Sequence, residues 1–350
     1  MKRIHTLFLA LFMLTLMHSG KAQDIHFSQF YLSPLNLNPA MTGVMNANIR
    51  LVANYRNQWA SVLRSNAFNT YSISYDQRVA VGRNDYFGVG GAFWGDRAGE
   101  ANFQTLTGKM ALSYSKKMGG GRNSGQYLVV GAEGGFAQRS IDFLKLRWGS
   151  QHDGEGGFDP NIDSGETGFD RDNFTFADMA AGLMWFSVLD ANNNFYLGAA
   201  FHHLNRANQS FDSTDEDLLY SKLTLHAGGE FMVGDRFGLV PGVIVMNQGP
   251  SFQVNAGTSF KFLMGSSGAQ YQAFQIGAWA RIANNTDSGI LSDAAILSTR
   301  FDYENFSLGF SYDINISPLS TASNSNGGFE FALVYKILGP ERRNLYCPNF

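Results

Sequence analysis

The sequence predicts an all-β protein, a transmembrane antiparallel β-barrel of about fourteen strands, and three observations carry that prediction. Charged side chains make up only 16% of the 350 residues while Phe, Tyr and Trp make up 14%, against about 25% charge in ordinary soluble domains. Beyond residue 22 no apolar run reaches the roughly 18 residues that a spanning helix needs. From about residue 48 onward apolar and polar residues alternate, the period of a strand. A membrane-type composition without helical spans leaves the closed barrel, which satisfies every backbone group within lipid. The aromatic content also argues against disorder.

Residues 1–22 read as a secretory signal peptide. Lys2 and Arg3 form a positive start, residues 7–17 an apolar stretch, and Gly20-Lys21-Ala22 a small-x-small cleavage site before Gln23. No Cys follows that site, which argues against a lipoprotein. Losing Lys2, Arg3 and Lys21 takes the formal net charge from −3 to −6. There is no basic patch, which argues against nucleic acid as a partner.

Residues 23–47 do not alternate. Ser33-Pro34 has the form of an N-cap followed by Pro in the first helical turn, and Pro39 stops any helix early. A short helix and turn carrying Phe27, Phe30, Tyr31 and Leu35, continued by Asn38 and Pro39, is expected to fill the barrel mouth as a plug or hatch.

The barrel is expected over 48–337. In 48–56, Ile49, Leu51, Ala53 and Tyr55 share one face and Arg50, Asn54 and Arg56 the other. In 68–77, Tyr71, Ile73 and Tyr75 oppose Thr70, Ser72 and Ser74. The Gly-rich stretch 86–96 follows. In 103–115, Leu106, Met110, Leu112 and Tyr114 oppose Thr105, Thr107, Lys109, Ser113 and Ser115. Later strands are expected over 126–138, 175–187, 194–204, 220–232, 236–247, 251–262, 271–281, 290–301, 305–314 and 327–337. Strands of this length suit a membrane barrel better than a soluble sandwich, whose strands run to about 5–6 residues. Compact turns at 81–85, 118–121, 190–194, 233–236 and 302–305 alternate with long polar connections at 142–174, 205–219, 282–289 and 315–326. Barrels keep short turns in the periplasm and long loops outside, so both sets fall on consistent sides. Tyr71, Tyr75, Phe93, Trp94, Tyr114, Phe136, Trp185, Tyr196, Trp279, Phe306, Tyr312 and Tyr335 are expected to form interfacial girdles. Glycines within strands (Gly88, Gly90, Gly91, Gly131, Gly134, Gly135, Gly228, Gly229) mark bends or places where something fills the lumen closely.

No enzyme constellation stands out. There is no G-x-S-x-G elbow and no phosphate-cradling G-x-x-x-x-G-K-[ST]. His26, His152, His202, His203 and His226 are scattered, and His202 and His203 are expected on opposite faces of one strand. Within the acidic segment 153–172, Asp159, Asn161 and Asp163 occupy positions 1, 3 and 5 of a calcium-loop pattern ending at Asp170. The pattern lacks Gly at position 6 and the closing bidentate Glu, so a solvated recognition loop competes with calcium, and no other cofactor is indicated. The connection from Asp142 to Phe174 spans 33 residues, long enough to suggest function. Trp148, Gly157, Phe158 and Asp159 are its candidate partner-binding residues. Beyond the last strand, residues 338–350 are expected to form a periplasmic tail, with Tyr346, Pro348 and Phe350 either docking a partner or tucking into the rim. Cys347 is the single cysteine.

Several runs together resemble one family. They are Phe27-Ser28-Gln29-Phe30-Tyr31, Leu35-Asn36-Leu37-Asn38-Pro39-Ala40-Met41-Thr42-Gly43, Tyr55-Arg56-Asn57-Gln58-Trp59, Leu146-Arg147-Trp148-Gly149-Ser150-Gln151 with Gly157-Phe158-Asp159-Pro160, and Cys347-Pro348-Asn349-Phe350. The family is PorP/SprF, outer-membrane proteins associated with the type IX secretion system of Bacteroidota. The resemblance implies a non-enzymatic barrel in the outer membrane of a Gram-negative, Bacteroidota-type bacterium. It also implies a role in secretion and surface attachment of adhesins through their C-terminal domains, gliding motility in some members, and partners among other type IX secretion subunits besides membrane lipid. The Asn-Pro-Ala triplet also resembles the hatch of fatty-acid-transporter-like barrels, which leaves an outer-membrane transporter of small or hydrophobic molecules as the alternative.

Overall fold

The computed structural model describes residues 24–339 and 347–348, apart from 83, 122–123, 153–156, 167–169, 191, 266–270 and 285–288. The expected signal segment 1–22 and the tail residues Tyr346 and Phe350 lie outside the described residues. Fourteen strands form one closed antiparallel barrel in which each pairs with its sequence neighbours and the first pairs with the last. They are Ile49–Gln58 (β1), Phe68–Val81 (β2), Asp85–Ala98 (β3), Phe103–Gly119 (β4), Gly125–Ser140 (β5), Asn173–Val188 (β6), Asn194–His202 (β7), Lys222–Met232 (β8), Phe237–Gln248 (β9), Ser251–Leu263 (β10), Gln272–Asn284 (β11), Ile290–Tyr303 (β12), Phe306–Asn315 (β13) and Asn326–Ile337 (β14). The closing seam runs from Ile49↔Ile337 to Gln58↔Gly328, so neither edge is left to expose unpaired backbone groups.

The two-residue period decides which face meets lipid. Ile73 is 60% exposed while its neighbours Ser72 and Ser74 are 1% and 5% exposed. Met110, Leu112, Phe136 and Leu297 likewise face outward. Aromatic pairs tie neighbouring strands on this outer face, with ring centroids 4.6 Å apart for Phe306 and Tyr335 and 5.0 Å for Phe310 and Phe331; such cross-strand pairs are the unit of sheet stabilisation. Three rings expected in the girdles instead face the lumen. Trp94, Tyr196 and Trp279 share the parity of inward residues such as Ala92, Ala200 and Arg281, and the register leaves them no lipid contact. Trp279 donates its indole N–H to Ser298 Oγ at 3.1 Å.

Both chain ends of the barrel wall, Ile49 and Ile337, lie at the end with the short turns. The opposite end carries the long connections 141–172 and 203–221. These two loops are fastened together by Phe211, whose ring meets Phe174 at 5.0 Å, Phe143 at 5.7 Å and Phe103 at 6.3 Å. Ser213 adds polar links, donating its backbone N–H at 2.8 Å and its hydroxyl to the Asp170 carboxylate. Among the described residues no helix is long and apolar enough to cross a membrane.

Candidate functional site

The segment before β1 runs the length of the lumen. It starts beside the long-loop ends of β7 to β9, where the Asp24 carboxylate meets His203 and its backbone N–H donates to Gln248 Oε1 at 3.0 Å. It ends beside the short turns, where β1 begins. Three helical turns, Phe30–Leu32, Pro34–Leu37 and Pro39–Met41, fold it compactly enough to fill the space. Leu32, Asn38, Ala40, Met41 and Thr42 are fully enclosed. Phe27 and Phe30 are buried, and Phe30 and Tyr31 meet the Trp279 ring at 5.7 and 5.4 Å.

A filled lumen creates a problem of polar satisfaction, because irregular backbone carries N–H and C=O groups that no ladder pairs. Charged side chains of the wall solve it. Arg50 and Asp76 form a two-point ion pair, and Asp76 Oδ2 also accepts the Gly43 N–H at 2.7 Å while Arg50 Nη2 donates to the Met41 carbonyl at 3.1 Å. The Glu330 carboxylate accepts the backbone N–H groups of Ser28 at 2.7 Å and Gln29 at 2.9 Å, one on each oxygen. Asp313 receives Arg56 at 3.1 Å, Arg281, and the Ser28 hydroxyl at 2.9 Å. Asn54 donates to the Leu32 carbonyl and Ser113 to the Thr42 carbonyl. Buried charges are tolerable only when paired and hydrogen-bonded, and here the pairs double as hooks for the plug.

Asn38 is the centre of the fit. Its Oδ1 accepts the Ala40 N–H at 2.8 Å, and its Nδ2 donates to the carbonyls of Leu183 and Ala199 and meets His226 Nε2 at 3.0 Å. Pro39 follows it against β5 and β6. The wall makes room with glycine. A Cβ on Gly131 would stand 2.5 Å from Pro39 C and Ala40 N, and one on Gly88 or Gly182 would overlap Thr42 or Asn38. Glycines 88 and 131, singled out in the sequence, mark this close approach; Gly182 and Gly309 play the same part, and Gly198 makes room for the His226 ring that meets Asn38.

The short-turn end is closed further by the tail. Cys347 is buried, with its backbone N–H and carbonyl bonded to the Asn46 side chain and its sulfur 3.5 Å from Arg78 Nη1. Pro348 lines a small inner space with Tyr31, Tyr196, Trp279 and Arg300. At the long-loop end, beside Asp24, lies a vestibule of about 410 Å³. Its floor is Asp24, Ile25 and His26, and its walls include Trp59, Phe68, Trp94, Asp96, Phe103 and Arg139. Trp59 adopts φ +62°, an unusual backbone state for a bulky residue.

The long connection folds on itself. Phe158 pairs with His152 in an isolated bridge, lies under the Arg147 guanidinium at 5.2 Å, and is followed by Asp159, whose N–H donates to the Gln151 carbonyl. Trp148 sits half-buried at the base of this turn and Gly157 at its edge. Asp159 and Asp163 each cap a local turn, through Asn161 and Gly165, whereas Asp170 is held by Ser213 of the other loop. Among the described residues no three His, Cys, Asp or Glu side chains converge as metal ligands. His202 and His203 do not face opposite sides. β7 ends at His202, and φ +57° at His203 turns its ring inward, so both rings are buried with centroids 6.5 Å apart. His203 lies between Asp24 and Asp178. Burial alone would push its imidazole down, but the two carboxylates outweigh that and carry it up to about 9.

The polar parity of β1 foretold that Arg50 and Arg56 face inward. Their partners Asp76 and Asp313, and the plug-holding Glu330, stand on other strands, and only the register brings them together. Vestibule residues Trp94 and Asp96 could have been found from that parity as well.

Among solved structures, the chain is similar to the CymD monoaromatic hydrocarbon channel at 13% identity, covering 92% of this chain and 96% of that one, with a TM-score of 0.47. It is similar to CdiB from Escherichia coli at 9% identity, covering 81% and 63%, with a TM-score of 0.47. It is similar to CdiB from Acinetobacter baumannii at 10% identity and a TM-score of 0.44, over 83% of this chain, and spans 60% of that protein's length. At these scores the likenesses bear on no functional question. No curated protein matches the sequence. The family described as type IX secretion system membrane protein PorP/SprF matches residues 19–335. With that match covering nearly all of the closed, plugged fourteen-strand barrel, the chain belongs to the PorP/SprF family of type IX secretion system membrane proteins.

Proposed function

We propose that this outer-membrane barrel is a non-conducting, non-enzymatic docking element of the type IX secretion system. In this reading it supports secretion and surface attachment of adhesins presented through their C-terminal domains, and gliding in cells that glide. The observation that carries it is the lumen filled by residues 24–47 below the outer vestibule, with Cys347 and Pro348 added at the short-turn end. A passage occupied by a hydrogen-bonded plug suits recognition better than flow. The proposal includes export by residues 1–22 in a Bacteroidota-type cell. It includes contacts through the loop residues Trp148, Gly157, Phe158 and Asp159, and through a tail whose Tyr346 and Phe350 flank the inserted Pro348. Isolation of the tagged protein from native membranes tests it: an adhesin or periplasmic secretion subunits should co-purify. Recovery of the barrel alone from cells secreting normally would refute it.

The vestibule of about 410 Å³ favours a second reading, an outer-membrane transporter of small or hydrophobic molecules. Swelling of liposomes containing the full chain in small solutes would support that reading; solute exclusion goes against it.

A further inference from the structure

We infer that the long-loop vestibule is a binding pocket for a positively charged side chain, the lysine or arginine of a polypeptide arriving at the outer mouth. The inference rests on the docking reading and names the chemistry that one of its surfaces would recognise.

The vestibule holds charges of both signs, and their partners decide what remains free to bind. Asp24 is committed to His203, and Asp293 to Arg281 Nε at 2.6 Å. Arg139, the cation of the wall, is already engaged: it donates to Gln209 and Thr105 and lies over the rings of Phe103 and Phe176 at 5.5 and 5.8 Å. Asp96 differs. Its carboxylate accepts the Thr70 hydroxyl, and among the described residues it enters no ion pair. It stands two residues from Trp94 on the same inward face of β3, and Trp59 and Phe68 line the same space.

A carboxylate that enters no ion pair among the described residues, set beside aromatic rings, is suited to a cation, because ring faces attract positive charge and a desolvated site strengthens the attraction. The volume is at the lower end of ligand-pocket sizes, which run from about 300 to 1,000 Å³, enough for one long side chain with its flanking backbone. Trp59 at φ +62° places a large ring at the lip where the backbone would not ordinarily hold one, and such outliers gather at ligand clamps.

The test is titration of the purified full chain in detergent with acetyl-lysine-amide, acetyl-norleucine-amide and maltotriose, read by tryptophan fluorescence and calorimetry. Saturable binding of the lysine probe is expected, at least tenfold tighter than norleucine and weakening as salt rises. Asp96→Asn should reduce the lysine affinity at least tenfold while Asp235→Asn, at a short turn on the opposite end, leaves it unchanged. No saturation, equal binding of norleucine, or unchanged affinity in Asp96→Asn overturns the inference; binding of maltotriose alone overturns it in favour of a glycan. If Asp96→Asn fails to assemble, the lysine–norleucine comparison on the unaltered chain decides. A barrel that co-purifies with secretion subunits but ignores the lysine probe refutes the pocket alone. One that binds the probe without co-purifying subunits refutes the docking reading alone.

Discussion

Arg50 on β1 and Asp76 on β2 face each other in a fully buried two-point ion pair, Nε to Oδ1 at 3.0 Å and Nη2 to Oδ2 at 2.8 Å, and both side chains also bind plug backbone. The pair therefore joins two adjacent strands and the segment they enclose. Removing one partner would leave a buried charge uncompensated and the Gly43 N–H without its acceptor. Asp76→Ala is expected to cost about 3–5 kcal/mol, seen as a lower unfolding temperature of the detergent-purified barrel. Lys116→Ala, which breaks an exposed pair with Asp85, should leave that temperature unchanged. Equal effects of the two substitutions would contradict this account of the pair.

The glycine shelf under the plug gives a steric prediction. Gly131→Val sets a branched side chain where Pro39 and Ala40 lie. Overpacking costs about 1–3 kcal/mol when neighbours shift, and the cheapest shift is for the plug to lift. Protease sensitivity of residues 24–45 should rise in Gly131→Val and remain low in Gly108→Ala, whose new Cβ would come no nearer than 3.9 Å to Phe93.

The anchor at the top of the plug depends on pH. His203 is raised to about 9 by Asp24 and Asp178, and burial, which would raise Asp24, is outweighed by His203 and Lys222, which hold it well below the ordinary carboxylate range. A raised histidine contributes its full stability below its unfolded value of about 6.5 and loses it as pH climbs through the folded value. A depressed carboxylate contributes above its own unfolded value of about 3.9 and loses it only in stronger acid. Protection of amides near Asp24, taken relative to the intrinsic exchange rate, should therefore be full below about pH 6.5 and fall progressively as pH climbs through about 9, by an amount on the order of 1–3 kcal/mol. In His203→Gln that pH-dependent fall in protection should vanish, with protection already low at neutral pH.

Phe211 holds the two long loops together by edge contacts with Phe103, Phe143 and Phe174. Each aromatic pair is worth roughly 0.5–1.5 kcal/mol beyond burial. Phe211→Ala should speed exchange in residues 143–152 and 170–172 while leaving the strands protected. Unchanged exchange there would show that the loops hold together by other means.

The barrel was legible because lipid on one side and polar contents on the other impose a two-residue period on every strand. Ile73 between Ser72 and Ser74 is the pattern in miniature. The path of the plug was not legible, since residues 24–47 fold against the wall and carry no period of their own. Gly88 and Gly131 hinted at close approach without saying what approaches. The inward turn of Trp94, Tyr196 and Trp279 followed from parity, but an aromatic ring in a membrane strand reads as a girdle until the register is known. His203 escaped the alternation because β7 stops one residue before it. Arg56 and Asp313 stand 257 positions apart, a pairing that the closure of β1 onto β14 brings within reach.

Planar-bilayer conductance of the full chain against a chain lacking residues 24–45 tests the filled lumen most directly. The plugged barrel should show no stable open channel, and the deletion, verified as a folded barrel by its strand content, should open large steps. Stable, large conductance in the full chain would contradict the account.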